Sequence, residues 1–237
     1  MLDRPLQRYV IVGGEPELAL LLHIFPEGVE ELDDGYAVYS EEPPLGFEVR
    51  EAEDVEEGWE DRWREFHHGV RAGRLWVGPP WEEPPPDATP VVIDPGRAFG
   101  TGAHATTRLC LELLQDVEPT SLLDVGCGSG VLSIAAAKLG FAPVRAVDVE
   151  KVALEVTSSN AAANGVPVDV GVELAPAGLA VMNIALDVVQ RMLPELPVER
   201  AITSGYLERD EPRFDGWQRL ERRVRDGWAA DLLELRP

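Results

Sequence analysis

Three glycines at alternate positions separate a short apolar run from a stretch of helix-forming residues. The apolar run is Leu122–Val125, the helix-forming stretch is Val131–Lys138, and the glycines between them are Gly126, Gly128 and Gly130. A buried strand that runs into a glycine turn and a helix N-terminus can bind a ligand closely, because N–H groups point outward and no Cβ intervenes. Asp124 lies within this segment, where its carboxylate is predicted to accept a hydrogen bond from an ammonium group.

The spacing of the glycines distinguishes between ligands. A dinucleotide fingerprint would need a third glycine at position 131, where this chain has Val131, which disfavours an oxidoreductase. No Gly-Lys-Ser/Thr sequence is present to cradle a nucleotide triphosphate. Asp148 follows the next apolar run, Val144–Val147, at the distance expected of an acid that takes ribose hydroxyls. The pattern resembles motif I of the class I S-adenosylmethionine-dependent methyltransferases; the alternative is a structural turn in another α/β protein.

A second unusual stretch precedes this turn. Residues 95–107 read Pro-Gly-Arg-Ala-Phe-Gly-Thr-Gly-Ala-His-Ala-Thr-Thr and follow an apolar strand that begins at Pro90. The stretch resembles the family of methyltransferases that modify ribosomal protein eleven of the large subunit (PrmA), which carries Pro-Gly-x-Ala-Phe-Gly-Thr-Gly-x-His-x-Thr-Thr before its cofactor domain. The resemblance is close from about Trp59 to Val149.

The resemblance implies a set of site residues and a cofactor. The cofactor is S-adenosyl-L-methionine, which Phe99, Gly100 and Thr101 would cover. The full set implied to bind it is Phe99, Gly100, Thr101, Thr107, Asp124, Gly126, Gly128, Asp148 and Asn183. Asn183 matches the family's Asn-Ile/Leu after the fourth strand and is also the candidate that aligns the substrate amine. Ser204 and Gly205 match its Ser-Gly after the fifth strand.

Three residues at the start of the next predicted helix have separate interpretations. Thr106 or Thr107 is predicted to cap a helix over 108–114 through its hydroxyl. His104 admits two interpretations, a general base or a brace for the loop, and the brace is the favoured one. The chemistry implied needs no metal or covalent intermediate, because positioning of the amine dominates methyl transfer, and no dedicated base is identified.

Alternating strand and helix patterns continue to the end of the chain. They predict an α/β fold, a doubly wound class I methyltransferase sheet with right-handed crossovers. The predicted strands are 122–125, 144–147, 166–172, 179–182 and 201–203, the helices are 131–138, 150–163 and 186–193, and the closing antiparallel pair is 218–225 and 229–235. Ligands of such sheets bind where the strand order reverses, so Gly126, Asp148 and Asn183 are expected at one edge.

The rest of the chain divides into a small domain and a connector. Residues 1–58 are predicted to form an N-terminal α/β sandwich with strands at 8–12, 36–39 and 47–49 and a helix at 15–24. This domain is expected to dock the substrate. Residues 59–90 are predicted to form a linker helix with an aromatic face and a proline-rich connector, and residues 91–237 the cofactor domain.

Composition limits the functional classes. The net charge of −22 disfavours nucleic acid as a direct partner and favours a basic protein, although acidity that serves only solubility is an equal alternative. Two cysteines are too few for a disulfide framework or zinc site. Without a run of 18 apolar residues or a signal peptide, the chain is predicted to be cytoplasmic, with no membrane partner.

The predicted function is methylation of an amino group, on a lysine or an N-terminus, of a large-subunit ribosomal protein. One alternative is a lysine methyltransferase for another protein or a small amine, and another is a non-catalytic cofactor-binding factor in ribosome assembly. The chain also departs from the family, because residues 173–178 form a short segment without an aromatic and residues 186–200 are shortened. The sequence does not define the oligomeric state.

Overall fold

The computed structural model describes residues 7–14, 17, 20–21, 24–25, 29–32, 34–40, 42–54, 68–94 and 102–236. The chain divides into two compact units, residues 1–66 and 67–237. The described part of the predicted connector, residues 68–90, therefore belongs to the second unit. In the part of the chain that is described, no helix is long and apolar enough to cross a membrane.

The first unit contains a four-stranded antiparallel sheet. Its strands are β1 (Gln7–Val12), β2 (Glu30–Leu32), β3 (Gly35–Ser40) and β4 (Glu48–Asp54), in the order β2-β3-β1-β4. Tyr9, Ile11, Leu21 and Val38 form its buried core. The three predicted strands are confirmed, and β2 is an addition. The described residues of the predicted helix at 15–24 are helical, whereas the predicted aromatic helix lies outside the described residues.

The second unit begins with a small three-stranded sheet. Its strands are β5 (Val70–Ala72), β6 (Leu75–Gly78) and β7 (Thr89–Val92); β6 pairs antiparallel with β5 and parallel with β7. Strand β7 is the apolar strand expected from Pro90, whereas β5 was not expected from the sequence. Residues 79–88, rich in proline, contain no regular element, as predicted.

A seven-stranded sheet forms the main body of the second unit. In chain order its elements are α1 (Ala105–Asp116), β8 (Leu122–Val125), α2 (Val131–Lys138), β9 (Val144–Val147), α3 (Lys151–Ala163), β10 (Asp169–Gly171), β11 (Leu179–Asn183), α4 (Leu186–Met192), a 3-10 turn (Leu193–Glu195), β12 (Arg200–Leu207), β13 (Trp217–Arg225) and β14 (Trp228–Leu235). The strand order is β10-β9-β8-β11-β12-β14-β13. The first five strands of that order are parallel, and β14 is antiparallel to both of its neighbours. The predicted doubly wound sheet is confirmed, with its order reversing between β8 and β11.

Three elements of the second unit have a boundary that differs by more than one residue from the sequence prediction. The strand expected at 166–172 is reduced to β10, an edge strand, and Pro167 just before it cannot donate a ladder hydrogen bond. Helix α1 begins three residues earlier than position 108. Strand β12 continues beyond 203 because a bulge at Gly205 lets its pairing with β14 resume at Tyr206.

Candidate functional site

The glycine turn after β8 has a backbone that requires glycine. Gly126, Gly128 and Gly130 all have positive φ, at +78°, +53° and +80°. A Cβ on Gly126 would lie 2.4 Å from Cγ2 of Ile184, so the turn is packed closely against the residue that follows β11.

The N–H groups of this turn are used within the protein. Those of Gly126 and Cys127 donate to the carbonyl of Val147, and that of Gly130 donates to the carbonyl of Cys127. The expectation that the N–H groups of the turn point outward to a ligand is therefore wrong for these three groups. A turn whose donors are satisfied internally suits a ligand without phosphate better than a nucleotide phosphate.

Asp148 lies directly beside the turn, at the carboxyl end of β9. Its Oδ2 accepts a hydrogen bond from the Gly128 N–H at 3.0 Å and its Oδ1 accepts one from the Glu150 N–H at 3.0 Å. These bonds fix the orientation of a partly exposed carboxylate, which has further lone pairs to accept from a diol. The structure thus brings together the acid and the glycines that the sequence singled out, and its contact with a ribose stays a prediction.

Asp124 has a different place from the one expected. Its side chain is 1% exposed, and its Oδ2 accepts hydrogen bonds from the N–H and the hydroxyl of Ser133, at 3.1 and 2.6 Å. Burial raises the pKa of this carboxyl to about 7. Because the carboxyl lies beneath the turn, out of contact with solvent, we reassign Asp124 from ligand acceptor to a brace between the turn and α2.

Asn183 and Thr107 come together at the switch point. Asn183 ends β11, and its Nδ2 donates to Oγ1 of Thr107, 3.2 Å away. Thr107 lies in the first turn of α1 and is buried. The amide of Asn183 is therefore held from the side of α1, across from Asp148 on the other side of the glycine turn.

His104 caps α1. Its Nδ1 accepts from the N–H of Thr106 at 3.4 Å and lies 2.7 Å from the Thr106 hydroxyl, and its ring packs edge-on against Trp228. Burial lowers the pKa of His104, which favours the neutral imidazole that can accept such bonds. The prediction that Thr106 or Thr107 provides the cap is wrong, since the His104 side chain takes that place, and its geometry is that of a brace.

The Pro-Gly loop is anchored at both described ends. Residues 95–101, and with them Phe99, Gly100 and Thr101, lie outside the described residues. Before the loop, Asn160 Oδ1 accepts from the N–H of Asp94 at 3.3 Å. After it, Gly102 has φ +89°, and a Cβ there would lie 2.4 Å from Val77 Cγ1.

Two asparagines at the C-terminal end of α3, Asn160 within the helix and Asn164 directly after it, were not singled out from the sequence. The Nδ2 of Asn160 donates to the carbonyl of Ser129 in the glycine turn at 2.9 Å. Asn164 accepts from the N–H of Val92 at 3.0 Å and donates to its carbonyl at 2.6 Å. The end of α3 therefore ties β7 and the approach to the loop to the glycine turn. Their spacing, i and i+4 at a helix end, was the available indication.

An exposed apolar edge beside Asp148 was also missed. Val149 is 94% exposed, and Val172 and Leu174 are exposed after the neighbouring strand β10. Arg145 holds this segment, with Nε donating to the carbonyl of Glu173 and Nη1 paired with Asp169 at 2.6 Å. Exposed valine and leucine side chains offer the surface that a flat base would cover, although residues 173–178 contain no aromatic.

The sheet order, the glycine turn and the acid after β9 define the second unit as a class I methyltransferase fold. Comparison with known proteins then places the chain within one family. The chain belongs to the ribosomal protein L11 methyltransferase (PrmA) family, whose model matches residues 31–222.

Individual relatives and a solved structure agree with this assignment. The chain is 40% identical over 204 residues to the ribosomal protein L11 methyltransferase of Symbiobacterium thermophilum, covering 77% of this chain and 67% of that protein. It is 36% identical over 211 residues to that of Shewanella sediminis, covering 81% and 71%. The match to the Aliivibrio salmonicida relative, at 45% identity, spans 57% of this chain and 44% of that protein. The crystal structure of the ribosomal protein L11 methylase from Lactobacillus delbrueckii subsp. bulgaricus superposes with a TM-score of 0.62 at 28% identity, covering 72% of this chain and all of that one.

Proposed function

We propose that this chain transfers a methyl group from S-adenosylmethionine to an amino nitrogen of a large-subunit ribosomal protein in the cytoplasm. The observation that carries the proposal is the arrangement of three neighbouring strand ends. Asp148 after β9 is bonded to the glycine turn after β8, and Asn183 stands on the other side at the end of β11. The relatives are ribosomal protein L11 methyltransferases, and we take ribosomal protein L11 as the substrate by that similarity.

The residues at this edge fit the parts of the cofactor. Asp148 is proposed to accept from the ribose hydroxyls, and Val149, Val172 and Leu174 to cover the adenine. The glycine turn would take the methionine portion, which carries an ammonium and a carboxylate group but no phosphate. By family resemblance, Phe99, Gly100, Thr101 and Thr107 would close the site. When bound, S-adenosylmethionine supplies a sulfonium methyl group, which the amine lone pair takes as the C–S bond breaks and its electron pair stays on sulfur.

Asn183 is proposed to align the amine. Its Nδ2 is held by Thr107, and among the described residues its Oδ1 receives no hydrogen bond, so this oxygen is left to accept from an incoming amine. The amine attacks only in its neutral form, and a lysine ammonium has a pKa of about 10.4 in water. Desolvation in the site lowers that pKa, and carbonyl acceptors, which include the Ile184 backbone, orient the amine so that its lone pair faces the methyl group. The proton goes to solvent.

The substrate side of the proposal is a basic protein. The whole chain carries a net charge of −22, which attracts a basic partner and repels a phosphate backbone. In the first unit, β4 stands at the sheet edge with exposed Glu48, Glu51 and Glu53. Charge complementarity therefore supports the first unit as the docking module for the ribosomal protein.

A labelling experiment tests the proposal. The purified chain is incubated with methyl-labelled S-adenosylmethionine and a cytoplasmic protein extract that contains unmethylated ribosomal proteins, and an Asp148→Ala variant serves as the control. One small basic labelled band, identified as the ribosomal protein, is the expected result. A different labelled band would favour another protein substrate, and cofactor binding without any labelled band would favour a non-catalytic assembly factor.

A further inference from the structure

Strand β12 carries a bulge where it passes the acceptor side of the site. Its pairing with β14 shifts between Ser204 and Tyr206, which leaves Gly205 as the extra residue with φ +98°. A Cβ on Gly205 would lie 2.1 Å from the carbonyl oxygen of Ile184. The bulge therefore packs directly on the backbone of the residue that follows Asn183.

Ile184 contacts two glycines at once. Its backbone lies against Gly205, and its Cγ2 lies 2.4 Å from the position of a Cβ on Gly126. A displacement of the bulge would therefore move the Ile184 carbonyl and its side chain relative to the glycine turn. Under the proposed function, these are the two sides between which the methyl group passes.

A buried polar network holds the bulge from below. The Tyr206 hydroxyl lies 2.8 Å from Oδ2 of Asp231, and it also contacts Thr203, 3.0 Å from the carbonyl and 2.8 Å from the hydroxyl. Asp231 is 0% exposed, and its Oδ1 lies 2.9 Å from Nε of Arg219. Burial raises the pKa of Tyr206, so its hydroxyl stays protonated and able to donate.

Burial of such a polar network contributes less to the free energy of unfolding than burial of apolar residues would. Removing a carboxylate and a hydroxyl from water carries a desolvation cost that apolar residues of similar size avoid. The network instead fixes the relative position of two strands, because the Tyr206 hydroxyl is bonded to Thr203 in β12, on one side of Gly205, and to Asp231 in β14. It thereby fixes the two strands on either side of the bulge.

We propose that Tyr206 is a positioning residue for methyl transfer, which acts through Asp231 and the Gly205 bulge to set the Ile184 backbone beside the acceptor amine. The inference rests on the proposed function for its kinetic consequence. Its structural consequence, the placement of Ile184, is independent of the substrate.

The test uses the full chain with Tyr206→Phe, which removes only the hydroxyl. We expect kcat on the ribosomal protein to fall about 10-fold, with KM and the Kd for S-adenosylmethionine changed less than about twofold, because misplacement of the acceptor side affects the reacting geometry and not binding. In the protein labelled with ¹³C-methyl isoleucine, the Ile184 resonance should shift. Asp231→Asn, which keeps an oxygen acceptor for the Tyr206 hydroxyl, should keep kcat near that of the wild type.

Ser121→Ala is the matched control. It removes a hydroxyl that accepts a hydrogen bond from the N–H of Gly178 at 2.9 Å. This bond lies at the amino ends of β8 and β11, away from the glycine turn and Asn183 at their carboxyl ends, so the variant should leave kcat unchanged. Thr203→Val, which deletes one contact of the tyrosine hydroxyl, replaces Tyr206→Phe if that variant does not fold, and should lower kcat in the same way. An unchanged Ile184 resonance in a folded Tyr206→Phe protein overturns the inference, as does a loss of kcat that Ser121→Ala reproduces. If the wild type methylates no ribosomal protein, the proposed function fails, and the Ile184 resonance still decides whether Tyr206 positions this backbone.

Discussion

Hydrogen bonds from the N–H groups of Gly128 and Glu150 fix the carboxylate of Asp148 beside the glycine turn, where we propose that it accepts from the ribose. Asp148→Ala should weaken S-adenosylmethionine binding by about 1.5–3 kcal/mol for each ribose hydrogen bond lost. Glu118→Ala is the control, because it removes an exposed carboxylate from the loop before β8, at the other end of that strand from the glycine turn, and should leave the affinity nearly unchanged. Calorimetry that gives the same Kd for wild type and Asp148→Ala would remove Asp148 from the cofactor site.

Asn183 and Thr107 share one hydrogen bond, so their separate roles can be measured. If the amide oxygen of Asn183 aligns the amine, Asn183→Ala should lower kcat roughly 10²-fold at saturating cofactor, with little change in Tm. Thr107→Val breaks the same bond but leaves the amide in place, and should have a smaller effect on kcat. A wild-type kcat in a stable Asn183→Ala protein would mean that Asn183 only closes the turn.

The buried carboxyl of Asp124 links stability to pH. Its folded pKa of about 7 lies above the value of about 3.9 expected in the unfolded chain. Between these values the folded state binds a proton that the unfolded state lacks, so the free energy of unfolding should fall as pH rises, by up to about 1.4 kcal/mol per pH unit, and level off above 7.

Asp124→Asn isolates that contribution, because the amide oxygen can still accept from Ser133 but the side chain does not titrate. Urea unfolding at pH 5 and pH 8 should show the variant gaining stability relative to the wild type as pH rises. A difference between the two proteins that stays constant over this range would contradict the raised pKa.

Which site residues could be predicted from sequence depended on how local their chemistry is. The glycines and Asp148 were predictable, because a turn with positive φ and an acid after the next strand are fixed by short-range spacing. The role of Asp124 was not, because its burial beneath the turn depends on how α2 packs. Asn160 was missed for the same reason: its partners, Asp94 and Ser129, are far away in the sequence.

At the scale of elements, α3 fastens the loop approach to the glycine turn, and Asn160 makes both connections. Asn160→Ala would leave the buried Ser129 carbonyl without this partner and should lower the free energy of unfolding by about 1–3 kcal/mol, with weaker cofactor binding. Ser158→Ala, at an exposed position of the same helix, should change neither quantity. Denaturant titration and calorimetry on both variants provide the measurement, and an Asn160→Ala protein that matches Ser158→Ala would refute the fastening role.

Secondary-structure elements were predictable where the sequence has a clear hydrophobic pattern. All four residues of β8 are buried, as expected of a central parallel strand, and this strand was predicted to the residue. Strands β2 and β5 have three residues each and were missed, since so short a run has no readable period. The Gly205 bulge was also missed, because it becomes apparent only once β12 pairs with β14.

At the scale of the whole molecule, we propose that the two units have different roles, substrate docking in the first and methyl transfer in the second. Both sheets that build the candidate site lie within residues 67–237, and the acidic edge strand β4 lies within residues 1–66. A chain that starts at residue 67 should therefore keep its affinity for S-adenosylmethionine. Its kcat/KM on the ribosomal protein should fall by roughly 10²-fold or more, because binding energy remote from the reacting atoms is lost.

Two measurements on the 67–237 chain separate docking from catalysis. Calorimetry should give a Kd for the cofactor within about twofold of the full chain, since Asp148 and its partners are all retained. At substrate concentrations near the KM of the full chain, the 67–237 chain should transfer methyl groups more slowly than the full chain. The reason is that the contacts between the first unit and the ribosomal protein are missing. Urea unfolding monitored by tryptophan fluorescence establishes that the shortened chain is folded. A folded 67–237 chain that methylates the ribosomal protein with the kcat/KM of the full chain would show that the first unit does not dock the substrate.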